Sequence, residues 1–339
     1  MAHATLFKLS APAALSALIL AGTLSASPAK AEDTITCVFP FWFGFAPVFV
    51  AQKQGYFEEE GLTVNTAFDN DRANVLPGLE TGDIQCTMRT IGESMARPRT
   101  PETTGTIIGT IDISVGADGV VAGPGIETVA DLVGKTFAGE INHPGTVLVQ
   151  YALSEMGKSV KDLDLKLIAT DDSVAVFEDD SIAAVATWEP MLSTIVKGTS
   201  RTGSKVLISS ADYEGLITDI ILVNTEDYTA NPEKYAKFLR GIYRAIDLYV
   251  ADPDQFIALS AGEFSVPDAE MKEALAGVKY TTYEETLEYM PADGDGKLKE
   301  VLDAFNEINI SLELQDAPLP YAPYVDGAIL QGLFDGQTR

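Results

Sequence analysis

A two-lobed α/β protein, each lobe a mostly parallel sheet flanked by helices, is what this 339-residue sequence predicts. Short β-rich runs alternate with amphipathic helical stretches from Thr34 onward, the pattern of strands joined by crossover helices. The alternation restarts near Asp118, and a return strand after Leu216 leads into a largely helical tail. About 308 residues follow a leader-like N-terminus, enough for two lobes of ordinary size.

The elements follow in order. "TITCVF" (34–39) reads as a strand. Pro47 stands where a first helical turn accepts proline, and "PVFVAQKQ" ends at Gly55, a suitable C-terminal cap. "LTVNTAF" is the next strand, "ANVLPGLETG" a helix interrupted near Pro77, "DIQCTM" and "GTIIGTI" strands three and four. In the second region "DGVVAG" opens the pattern. "TVADLVGK" is a short helix with Thr128 as its cap, "KTFAGE" a strand, "GTVLVQYALSEMG" a helix ending at Gly157, "DLKLIATD" a strand, "DSVAVFED" a short helix, and "SIAAVATW" and "SKVLISS" strands. "ITDIILVNTED" carries the chain back, and "NPEKYAKFLRGIYRAIDLYVAD", "PDQFIALSAGEF", "PDAEMKEALAGV" and "KLKEVLDAFNEI" are helical. The second lobe is thus expected as an insertion: residues 32–115 and 219–339 form lobe 1, and 116–218 lobe 2.

Lys8, a largely apolar run and Ala29-Lys30-Ala31 read as a secretion signal cut before Glu32. No later run reaches the roughly 20 apolar residues of a membrane helix. A free periplasmic protein is expected. Without the leader the formal charge moves from −27 to −29, 50 acids against 21 bases. Such a surface excludes nucleic acid as a partner, because phosphate binding needs clustered cations, and its plain consequence is solubility. Cys37 and Cys86 lie in strand-like runs, either joined in an oxidising compartment or standing as buried spacers, the commoner arrangement at so low a count. His143 is the single histidine after the leader, so a multi-histidine metal site is excluded; no metal or cofactor is expected.

"AQKQGYFEEEGLTV", "LETGDIQCT", "AVATWEP" and "LVNTEDYTANPEKYAKFLRGIYRAIDLYVADPDQ", in that order over residues 34 to 290, resemble the periplasmic solute-binding proteins of the nitrate, sulfonate and taurine ABC-transporter family. That family has the type II periplasmic-binding-protein fold and is related to thiamine-precursor binding proteins. The resemblance implies a monomer that captures a small solute in a cleft between lobes, closes over it by hinge motion near Val115–Ala122 and Ile217–Val223, and delivers it to a membrane permease and its ATPase. It implies no catalysis. "DDSIAAVATW" departs from the family's usual Gly-x-Ile-Asp-Ala turn, and the aromatic density after the first strand departs from its taurine binders.

Ligands of α/β sheets meet the carboxyl ends of strands and the N-termini of helices. That rule selects Phe41, Trp42 and Phe43 in the aromatic turn after strand one, with Trp42 the principal candidate. Phe49, Tyr56 and Phe57, at helical spacing or after the cap, read as core, and the glutamates after them as a solvated face. Arg89 after strand three offers a fork of donors to an acid group, or is a plain surface arginine. Glu93 and Glu140 are further candidate acids. In "NHPGT", His143, Gly145 and Thr146 open a helix where an anionic oxygen or ordinary capping uses the same atoms. Trp188 and Glu189 suit a cationic head, although Glu189 equally suits an internal ion pair. Asp219 interrupts an apolar strand, where a lone buried carboxylate is costly; the resemblance to taurine binders implies that it receives an amine. The set favours a zwitterion, a taurine-like amino-sulfonate foremost, over nitrate or a plain alkanesulfonate. A methylated amine, a pyrimidine precursor, a calcium loop at "ADGDGK" and an enzyme on the same fold are the weaker alternatives.

Overall fold

The computed structural model describes residues 33–95, 105–336 and 339; the expected leader and its cleavage site lie outside them. Eleven strands among the described residues make two sheets. The strands are β1 Asp33–Phe39, β2 Leu62–Phe68, β3 Cys86–Thr90, β4 Gly105–Ser114, β5 Asp118–Ala122, β6 Thr136–Ala138, β7 Asp164–Lys166, β8 Ala184–Trp188, β9 Lys205–Ser209, β10 Thr218–Asn224 and β11 Val278–Tyr280. The first sheet runs β11-β4-β10-β3-β1-β2 and the second β7-β6-β8-β5-β9. Hence one sheet takes its strands from both ends of the chain, and the other takes the five between.

Both sheets are mixed, where the sequence suggested mostly parallel ones. β10 runs antiparallel to β3 and β4, and β5 antiparallel to β8 and β9. The reason is the insertion. The chain leaves the first sheet at the carboxyl end of β4, enters the second through β5 and comes back through β10, so these two strands oppose their neighbours. The passages, 115–117 and 210–217, are tied together by Ser210: its hydroxyl meets Ser114 Oγ at 2.7 Å and accepts from the Gly116 amide at 2.7 Å.

Local chemistry explains most elements. The helix Ala46–Lys53 has Pro47 in its first turn and stops before Gly55, whose φ of 74° suits a residue without Cβ. The helix Arg72–Thr81 is capped by Asp71 and continues through Pro77 without the expected interruption. Val129–Leu132 is a single 3-10 turn in which Asp131 accepts from the Thr128 amide. The strand β11 and the helices Met191–Gly198, Thr225–Ala230 and Tyr283–Tyr289 are not among the expected elements, although Met191–Gly198 buries Leu192 and Ile195 on one face. Cys37 and Cys86 face each other across β1 and β3 and form a disulfide, so they are a crosslink and not spacers.

The aromatic turn is packed into the main hydrophobic core. Phe39, Phe41, Phe43, Phe45, Phe49, Phe68 and Phe264 meet edge-on or tilted at centroid separations of 5.0–5.9 Å, favourable geometry for rings. Phe57 stacks on Phe238 at 5.5 Å. The following glutamates are not simply solvated, because Arg240 grips Glu60 through two nitrogens and Arg244 reaches Glu59 at 2.8 Å.

Candidate functional site

Register lines up a row of polar residues across the first sheet. Asp219, near the start of β10, lies opposite Thr90 on β3 and opposite Asp112 on β4, and Asp112 lies opposite Tyr280 on β11. Thr90 and Asp112 are at the carboxyl ends of their strands, where ligands of such sheets are met. The second sheet contributes a facing pair, Asp118 opposite Trp188. Trp42, Phe45, Thr90, Glu93, Asp118, Trp188 and Asp219, with two prolines, enclose an inner pocket of about 20 Å³. That is room for one water or one ammonium group.

Burial decides the electrostatics. Asp112, Asp118 and Asp219 are at most 3 % exposed, and no ion pair reaches them among the described residues. Taking a carboxylate out of water penalises the charged form. Burial therefore pushes Asp118 up to about 8 and Asp112 up to about 7, with the Trp42 hydrogen bond restraining Asp112. Asp219 is raised far above the carboxylate range by burial first and then by Asp112, Asp118 and Glu93. Trp42 Nε1 donates to both oxygens of Asp112 at 3.3 Å. Trp188 Nε1 is buried with no partner among the described residues.

Glu93 differs from the three aspartates. Burial would raise it, but Arg89, His143 and Arg72 more than offset that and hold it below the usual range. It closes a capping box with Thr90 on the helix Ile91–Ser94. Arg89 Nη1 meets it at 3.5 Å and His143 Nε2 at 3.4 Å. The His143 Nδ1 meets Thr170 Oγ1 at 3.0 Å, and its ring lies 5.0 Å from that of Trp188; burial depresses its pKa despite Glu93 and Glu140.

Beyond Trp188 an outer cleft of about 870 Å³ extends between Phe68–Arg72, Glu140–His143 and Leu167–Asp171. Arg72 bridges its sides, donating from Nη2 to the Ile141 carbonyl at 2.8 Å and standing 3.5 Å from Glu140. Its Nη1 has no partner among the described residues. Asn70 donates to both oxygens of Asp171 at 2.9 and 3.0 Å.

The structure thus gathers Trp42, Glu93, Trp188 and Asp219 at the inner pocket, and His143 and Glu140 at the outer cleft. It puts Phe41 and Phe43 in the aromatic core. Arg89 is fully buried between Thr87 and Glu93 and lines neither space. Gly145 packs so close that a Cβ would stand 2.6 Å from the Gly119 carbonyl, and Thr146 is buried behind it with an unpartnered hydroxyl. Glu189 turns away to accept from Ser193 Oγ and N at 2.7 and 3.1 Å. Sequence reading missed Phe45, Arg72, Asp112 and Asp118. Asp112 and Asp118 carried the same signal as Asp219, a carboxylate in an apolar strand.

Residues 42–256 match the NMT1/THI5-like family model. A protein of Brucella abortus (strain 2308) named as a binding protein is 24 % identical over 85 % of this chain and 90 % of its own. A 4-amino-5-hydroxymethyl-2-methylpyrimidine phosphate synthase of Aspergillus parasiticus is 23 % identical over 61 % of this chain and 64 % of its own. The solved periplasmic aliphatic sulphonate binding protein SsuA of Escherichia coli is similar in fold, with a TM-score of 0.69 at 16 % identity over 89 % of this chain and 98 % of that one.

Proposed function

The chain belongs to the NMT1/THI5-like family, and from that premise we propose that it is the periplasmic solute-binding component of an ABC importer, a monomer that captures a small zwitterion of the taurine type and delivers it to a permease and its ATPase. The observation that carries this reading is the inner pocket. Asp118, Asp219 and Glu93 converge there with Trp42, Phe45 and Trp188 around about 20 Å³. Such a space admits a primary ammonium and is too small for a trimethylated one; the rings and carboxylates favour positive charge. The acid end then lies in the outer cleft, within reach of Arg72. This moves the acid-binding role expected of Arg89 and Thr146 to an arginine that lines the cleft.

Lobe closure follows from the same reading. Residues 32–115 and 219–339 would move as one lobe and 116–218 as the other, about the passages tied by Ser210, with Arg72 and Asn70 clasping the closed form. The synthase name belongs to a relative, and holding a cation requires no chemical step. A thermal-shift series of the protein with taurine, isethionate, propanesulfonate, betaine, nitrate and a pyrimidine amine tests the proposal. Ligand at about 100 times its dissociation constant stabilises by roughly 2.7 kcal/mol. Taurine is expected to raise the melting temperature and isethionate, which has a hydroxyl for the amine, is not. A shift produced by inorganic anions or plain sulfonates alone overturns it.

A further inference from the structure

We propose that Asp112 and Asp219 form a proton-sharing pair, and that an ammonium group entering the inner pocket takes the place of the shared proton, so that the solute is captured by exchanging one cation for another. This rests on the amine-binding reading above and adds to it a residue outside the pocket wall and a defined proton count.

The geometry comes from strand register. Asp112 and Asp219 are directly opposite on β4 and β10 and are buried at 0 and 3 % exposure, so each carboxyl bears on the protonation of the other. Two adjacent carboxylates away from water cannot both ionise at ordinary cost, and one proton between them relieves the repulsion. Trp42 Nε1 points at both oxygens of Asp112, which favours the anion there and leaves the proton on Asp219, the member that lines the pocket.

The neighbouring charges offer no substitute for that proton. Asp118 faces the pair from β5, Glu93 from the helix Ile91–Ser94 and Tyr280 from β11, while Glu189, after β8, bears only on Asp118. Of the cations nearby, Arg89, whose charge also reaches Asp219, stands against Glu93 and Arg72 against Glu140, and His143, neutral by burial, adds none. Among the described residues no three His, Cys, Asp or Glu side chains are grouped to hold a metal ion, so the expected counter-cation is organic. When R–NH₃⁺ enters, the Asp219 O–H bond breaks, its proton leaves through the cleft to the buffer, and the carboxylate pairs with the ammonium. The charge of the pocket with its contents is unchanged.

Two measurements decide the matter. Carboxyl carbon-13 resonances of aspartate, followed against pH in the full chain and in Asp112→Asn and Asp219→Asn, are expected to include one that titrates above about pH 6 and disappears or moves to lower pH in either variant. Calorimetry at neutral pH in two buffers of different ionisation heat, with taurine and with methylammonium as probes, is expected to give about one proton released per ligand bound, and clearly less for Asp112→Asn. Absence of the high titration, or binding with no proton release, overturns the exchange while leaving amine capture intact. If neither probe binds, amine capture and the exchange fail together, and the titration alone judges the proton-sharing pair.

Discussion

The inner pocket and the outer cleft handle charge in opposite ways. Asp118 and Asp219 line the inner pocket with Asp112 behind them, all three buried and none in an ion pair among the described residues. In the outer cleft Arg72, Glu140 and His143 are partly or wholly paired with one another across the opening. Burying an unpaired carboxylate costs stability that packing must offset, so its presence marks a contact reserved for something that arrives. A paired charge at a rim costs little and contributes little. The difference sets what the proposed function asks of each: the inner carboxylates would choose the ligand, and the outer ions would close over it.

The largest effect is expected from Asp219→Asn. It keeps the shape and removes the charge that meets the ammonium, and losing one partner of a buried charge pair costs about 2–5 kcal/mol. Taurine affinity by calorimetry should fall roughly 100-fold with the fold intact by circular dichroism. A change under about threefold would remove Asp219 from the site. Trp188→Leu comes next, because a ring face over a cation is worth about 1–2 kcal/mol when desolvated. A loss of about tenfold is expected for taurine and methylammonium alike.

Arg72→Gln separates the two regions. It removes no side chain from the inner pocket, and Arg89 and His143 still act on Glu93 there, so methylammonium should bind the variant nearly as it binds the parent. Taurine, whose sulfonate lies in the cleft, should lose about three- to tenfold, since a charge-assisted hydrogen bond at a half-exposed site is worth about 1 kcal/mol. Equal losses for both probes would mean that the cleft and pocket are not the two ends of one ligand.

Much of this arrangement was readable in the sequence. Strand and helix order came through because apolar periodicity is local, and Asp219 stood out because a carboxylate in "LITDI" has no local use. Asp112 and Asp118 carried that signal too, but not the partners that give it meaning. Their meaning arises from register: only when β4 lies beside β10, and β5 beside β8, do they become the neighbours of Asp219 and Trp188. Trp42 lines the inner pocket, whereas Phe41 and Phe43 pack among rings, because a loop between prolines looks exposed until Phe68 and Phe264, far apart in the chain, are folded over it. Arg72 opened a helix and read as ordinary.

The smallest expected effect concerns stability against pH, and its sign separates the aspartates from their neighbours. Asp112 and Asp118 have folded pKa values of about 7 and about 8 against an ordinary 3.8, so between those limits the folded state binds more protons than the unfolded one. Stability from these groups is therefore highest near pH 4 and declines as pH rises toward 8. Glu93 has a lowered pKa, so its contribution is present above pH 4.5 and is lost only below that value. His143, held neutral by burial, opposes the aspartates by losing stability as pH falls below 6.5. The comparison of parent with Asp112→Asn cancels Glu93 and His143. The variant, freed of one buried charge, should melt about 2–4 °C higher than the parent at pH 8 and no higher at pH 5. If instead it melts lower at pH 8, Asp112 stabilises the fold as an anion, and the inner pocket's carboxylates are structural like those of the outer cleft.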